Sequence, residues 1–169
     1  TWADANGKKL YMLANSGCLR FCSGQTFHDN MVAHETGIAR CDNIDGFIPY
    51  SCWNYLKDRN NWHAVLKSSW TRPEDIHNYD GTFDLVKLAT RMHERPQAVL
   101  KAYTARKFAG NLLDLFEPGY SPALAPYVID NTRFPDDWFE QSCLHSSDNT
   151  DDSYFCEVLD QVLVHINDF

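Results

Sequence analysis

At 169 residues, 44% hydrophobic and 14% aromatic, the chain has the length and apolar content of one folded domain, so disorder is not its default reading. Its formal net charge of −8 argues against a general nucleic-acid or anionic-membrane surface, although one basic cleft remains compatible with it. No stretch approaches the roughly 20 apolar residues of a transmembrane helix, so no membrane contact is expected.

Residues 1–10 contain Asp4, Lys8 and Lys9 and no apolar run, unlike a secretory signal. The chain does not begin with Met, which leads us to expect a fragment or a processed product. Residues 10–14 (Leu-Tyr-Met-Leu-Ala) are a short apolar run stopped by Asn15-Ser16-Gly17, the pattern of a strand and its turn. Residues 18–35 lack Pro and read as a helix or helix-like turn. A second apolar run at 63–67 reads as another strand. Pro73, with Glu74 and Asp75 behind it, opens a helix that Asp80-Gly81 stops.

Residues 83–88 form a third strand candidate. Residues 96–108 form an amphipathic helix with Val99, Leu100, Tyr103 and Phe108 at helical spacing, ended near Lys107 and Gly110. Strand, turn and helix thus recur, which predicts βα units around a parallel sheet. Four prolines make 117–135 a loop, and a closing amphipathic helix is expected over 154–167. So few βα units leave open parallel edges, which call for more strands or a partner chain.

The chemistry concentrates in the segment after the first strand, which carries Cys18, Cys22, His28, Asp29, His34 and Glu35. Parallel-sheet proteins place their sites at this strand edge. One helical turn would bring Cys18 and Cys22 to a common face. Cys41, Cys52, Cys143 and Cys156 complete the six cysteines. Clustered cysteines without a secretory signal point to a cytoplasmic protein using them for metal or redox chemistry rather than disulfides.

Four thiolates are the usual set for a 4Fe–4S cluster or a structural zinc. The absence of C-x₂-C knuckles ranks iron–sulfur above zinc, with Cys18, Cys22, Cys52 and Cys156 as ligand candidates. The plainer alternative is that these thiols simply pack, as buried cysteines commonly do. His28, Asp29 and His34 are the candidates for proton transfer. Lys67, Arg72, Lys87 and Arg91 flank the second and third predicted strands, where they would hold an anionic substrate; the alternative is a set of solvated charges.

These motifs, read together, resemble a known family. Ala14-Asn15-Ser16-Gly17-Cys18-x₃-Cys22 with His28-x-Asn30 and His34, then Trp70-Thr71-Arg72-Pro73-Glu74-Asp75, Lys87-Leu88-Ala89-x-Arg91, and Gly110-Asn111-Leu112-Leu113-Asp114 are similar to the C-terminal half of collagenase-like peptidase family proteins. The resemblance implies an α/β fold: a partial TIM-like β/α barrel over residues 1–135, without its N-terminal half, and a helical cysteine-containing tail over 136–169. It also implies an iron–sulfur enzyme, since some relatives support oxygen-independent hydroxylation in RNA modification or quinone synthesis, while others are described as collagen-degrading. An anionic or nucleotide-like substrate is then expected. The competing readings are a peptidase without a redox centre and a non-catalytic subunit that completes a barrel. The chain has neither G-x-S-x-G nor H-E-x-x-H, the local signatures of serine and zinc hydrolases.

Overall fold

The computed structural model describes residues 2–33, 51–91, 93–146 and 151–169. His34 and Cys41, both singled out above, lie outside the described residues. A short helix, α1 (Trp2–Ala5), leads into strand β1 (Tyr11–Leu13). Strand β1 pairs in parallel with β2 (Leu85–Lys87), with Tyr11 opposite Leu85 and Leu13 opposite Lys87. Asp84 steadies the entry to this pair, since its carboxylate accepts from the Leu10 amide at 2.9 Å.

A second pair, β3 (Tyr127–Ile129) and β4 (Leu163–His165), is antiparallel. Both are two-stranded sheets, and no sheet among the described residues is closed. The chain is therefore mixed α/β, with one parallel pair of the kind a β/α barrel uses. That pair is poorly covered: Tyr11 is 62% exposed and Leu85 51%, although parallel strands are ordinarily buried on both faces.

The apolar run at 63–67 is not a strand but one turn of helix, α4 (His63–Leu66), preceded by α3 (Ser51–Leu56). The Asp58 side chain accepts from the Asn60 amide at 3.0 Å and starts a 3₁₀ turn. Trp62, with φ −64° and ψ −27°, carries that helical geometry forward into the run. A short apolar segment is compatible with either state, and here the cap decides.

Pro73 does open a helical segment, of 3₁₀ type, over Pro73–Tyr79. Helix α5 (Pro96–Ala105) follows where expected but stops before Phe108, because Arg106 turns left-handed at φ 51°. The terminal amphipathic helix is shorter than expected. As α8 (Ser153–Val162) it buries Phe155, Val158, Leu159 and Val162, the i, i+3, i+4, i+7 stripe of a one-sided helix. Leu163 then leaves helical geometry at φ −80°, ψ 119° so that β4 can pair with β3. Between these parts lie α6 (Ser121–Leu124) and α7 (Trp138–His145).

One core collects these elements. Leu56 of α3, Val65 of α4, Val99 of α5, Leu112, Leu113 and Leu115, Tyr120, and Phe155 and Val162 of α8 all fall in the same buried cluster. Each such side chain gains about 1.5–3 kcal/mol on leaving water, so short elements with little intrinsic stability are held by packing. The result for function is a β1 strand whose C-terminal end, at Ala14 and Asn15, is fully buried.

Candidate functional site

Everything at the site hangs from Asn15. Its buried amide donates to the Ala89 carbonyl at 2.8 Å and to the Leu115 carbonyl at 2.9 Å. Its side-chain oxygen accepts from the Ala89 amide at 2.6 Å. Two residues on, the Gly17 amide donates to the Glu117 carbonyl at 3.1 Å. A Cβ at Gly17 would collide with the Pro118 carbonyl oxygen, so only glycine allows the chains to pass so closely.

The loop that follows carries Cys18 and Cys22, and it is not helical. Phe21 sits in the left-handed region at φ 57°, which interrupts any helix, and α2 (Gln25–Ala33) begins only after Cys22. The two thiols are thus set by turns rather than by a shared helix face. Phe21 is 74% exposed and gains little from its position, while a left-handed non-glycine residue costs about 1–2 kcal/mol. Phe21→Gly is expected to raise stability by about 0.5–1 kcal/mol, after the entropic cost of glycine is allowed for. The check is the urea midpoint. A fall would mean that the Arg20 guanidinium over the Phe21 ring, 4.9 Å from its centroid, outweighs the strain.

Cys18, Cys22 and Cys52 share one neighbourhood. Burial pushes the Cys18 thiol up; a hydrogen bond with Ser16 opposes this, and the charges of Asp29, Cys52 and Cys22 reinforce it. The Cys52 side chain also reaches Tyr120, whose buried hydroxyl is held far above its ordinary range, chiefly by desolvation. All three cysteines are half-buried free thiols. His28 lies on α2, half-buried, with Asp29 exposed beside it.

Cys156 stands apart from the three. It is exposed on α8, and after desolvation the groups that raise its thiol are Asp152, Asp160 and Asp151, with no cysteine among them. Among the described residues no three His, Cys, Asp or Glu side chains meet closely enough to hold a single metal ion.

The four expected anion binders are dispersed. Arg72 is buried and committed to Asp75, donating to its two carboxylate oxygens at 2.7 and 3.0 Å. Its guanidinium also lies over the Phe134 ring, 4.8 Å from the centroid. Lys67 is bound to Asp152, which also takes the His63 imidazole at 3.0 Å. Hydrogen bonding to Lys67 is the main cause of the lowered Asp152 carboxyl. Lys87 faces solvent rather than a barrel lumen, because both faces of β2 are open, and Arg91 is exposed as well.

A cleft of about 480 Å³ opens next to the thiol loop. Arg20, Lys67, Trp70, Tyr79, Trp138 and Cys143 are among its walls. The loop is tied to this wall where the Ser69 amide donates to the Cys18 carbonyl at 3.5 Å. Sequence reasoning passed over Arg20 and Tyr120. Arg20 carried a signal, its place between the two cysteines, whereas nothing local marks Tyr120.

Comparison with known proteins gives one informative likeness. No family model matches the chain, and no solved structure matches it. An uncharacterized protease of Methanocaldococcus jannaschii is 31% identical over 114 residues, which cover 64% of this chain and 32% of that protein. The chain is therefore similar to a protein named as a protease, and the matched region spans about a third of that relative's length.

Proposed function

We propose that the chain carries the cysteine loop and substrate cleft of an iron–sulfur enzyme that modifies an anionic substrate, within a protease-like family. The observation that carries this reading is the convergence of Cys18, Cys22 and Cys52 in one half-buried neighbourhood beside a cleft. Three soft donors suit a thiolate-held centre. A 4Fe–4S cluster distributes its ligands over separate irons, so it does not require the donors to meet at one ion. The sequence nominates Cys156 as the fourth ligand, but it stands apart from the other three, so another cysteine of the chain would serve. When bound, such a cluster would supply one-electron chemistry, as in hydroxylation.

The residues around it divide the remaining work. His28 and Asp29 would move protons at the loop face, His34 stays a candidate on sequence alone, and Arg20 would orient the substrate's negative charge. Lys67, held by Asp152, would form a fixed wall of the cleft. The exposed apolar β1–β2 pair supports a larger β/α sheet in the whole protein, or in a partner subunit, that would cover it.

Anaerobically purified protein should contain iron and acid-labile sulfide and be brown. Single Cys18→Ser, Cys22→Ser and Cys52→Ser changes should each lower the iron content, and Cys156→Ser tests the fourth position. A folded protein that is colourless and free of iron would overturn the reading.

The name of the archaeal relative favours one second reading, a peptidase without a redox centre, with Cys22 and His28 as nucleophile and base. Peptide cleavage that survives alkylation of the thiols excludes that pair.

A further inference from the structure

We infer that the cleft beside the thiol loop takes a small monocarboxylate bearing a flat aromatic ring. Arg20, Lys67 and Asp75 bring charge to its lining. Asp75 is neutralised by the two hydrogen bonds from Arg72, and Lys67 is neutralised by Asp152. Arg20 is left over. Among the described residues its Nη1 donates to the Ser146 carbonyl at 3.4 Å, its guanidinium lies over the Phe21 ring, and no carboxylate lies within ion-pair range of it.

One guanidinium without a carboxylate partner among the described residues, in a chain of net charge −8, matches one negative charge. A dianion would leave surplus charge facing an acidic protein. The planar fork of arginine suits a carboxylate. The remaining walls include Tyr79 and Phe139, half-buried rings of the kind that accept the edge or face of another ring. The volume of about 480 Å³ lies within the roughly 300–1,000 Å³ of small-molecule sites.

This inference deepens the proposed function by naming the substrate class of its cleft, yet it depends on the cleft alone. Iron-free protein that binds the carboxylate removes the cluster and keeps the cleft, and iron-loaded protein that does not bind it does the reverse.

The test uses 3-phenylpropionate, 3-phenylpropionamide and propionate as probes in titration calorimetry. Alkylation of Cys143, an exposed thiol in the cleft wall, is followed in its own peptide by mass spectrometry and locates the binding. The acid is expected to bind and to slow alkylation of Cys143, with the amide and propionate much weaker. Arg20→Gln should weaken binding by about tenfold or more, as expected for a lost charged hydrogen bond. Lys101→Gln, an exposed change on α5, should leave it unchanged. Absence of binding by the acid, binding without protection of Cys143, or an amide or propionate as good as the acid would each overturn the inference.

Discussion

Arg72→Met is expected to cost about 3–5 kcal/mol of stability, because it strands the Asp75 carboxylate without its partner in the interior. Both side chains are only 9% exposed, the two parallel hydrogen bonds commit the Nε–Nη2 edge of the guanidinium to Asp75, and Arg72 is not among the residues that line the cleft. The double change Arg72→Met with Asp75→Leu should recover most of the loss, since removing both charges also removes their desolvation cost. Chemical denaturation of the three variants checks this. An Arg72→Met protein of native stability that no longer binds ligand would restore Arg72 to the substrate site and overturn the structural role.

Asn15→Leu should cost about 3 kcal/mol. The change leaves the Ala89 amide and the Ala89 and Leu115 carbonyls without their partner, and each buried unsatisfied group costs about 1–3 kcal/mol where water cannot reach it. Ala89 is partly accessible, which keeps the expected sum near the lower end. The urea midpoint should fall with little change in slope. Because Cys18 lies three residues downstream, its alkylation under native conditions should also accelerate. A stable variant with an unreactive Cys18 would show that the loop is held by other contacts.

The two changes illustrate what local pattern reveals. β1, β2 and α5 were legible because an apolar run or a helical stripe was bounded by its own turn residues, Asn15-Ser16-Gly17 or Lys107 with Gly110. Residues 63–67 were misread as a strand because the deciding group, the Asp58 cap, lies outside the apolar run. The terminal helix was drawn too long because β4 exists only through its pairing with β3, more than thirty residues earlier. Such tertiary pairing overrides local preference.

The site was legible in its donors but not in its geometry. The concentration of Cys18 and Cys22 after a strand was visible, whereas the meeting with Cys52 and Tyr120 depends on how α3 and α6 pack. The cationic positions were expected to face a substrate because they flank predicted strands. In the structure Arg72 and Lys67 instead find carboxylates at Asp75 and Asp152, and Arg20 is the cleft cation with no carboxylate partner among the described residues. Charge type is written in the sequence, but compensation is decided by tertiary neighbours.

The contacts of Asn15 also order events in time. Its partner Leu115 lies 100 residues along the chain, and at about 5–20 residues per second of synthesis that carbonyl arrives roughly 5–20 seconds later. The parallel partner of β1, at Leu85–Lys87, comes earlier but cannot by itself close the end of the strand. Until Leu115 emerges, the thiol loop is held only by its earlier partners, Ser69 on the Cys18 carbonyl and Ala89 on Asn15, and Cys18 and Cys22 are more open to solvent oxidants than in the finished fold. Protection of the thiol loop is therefore a late property of the nascent chain, and the yield of reduced protein should depend on the redox poise during synthesis more than on conditions after release.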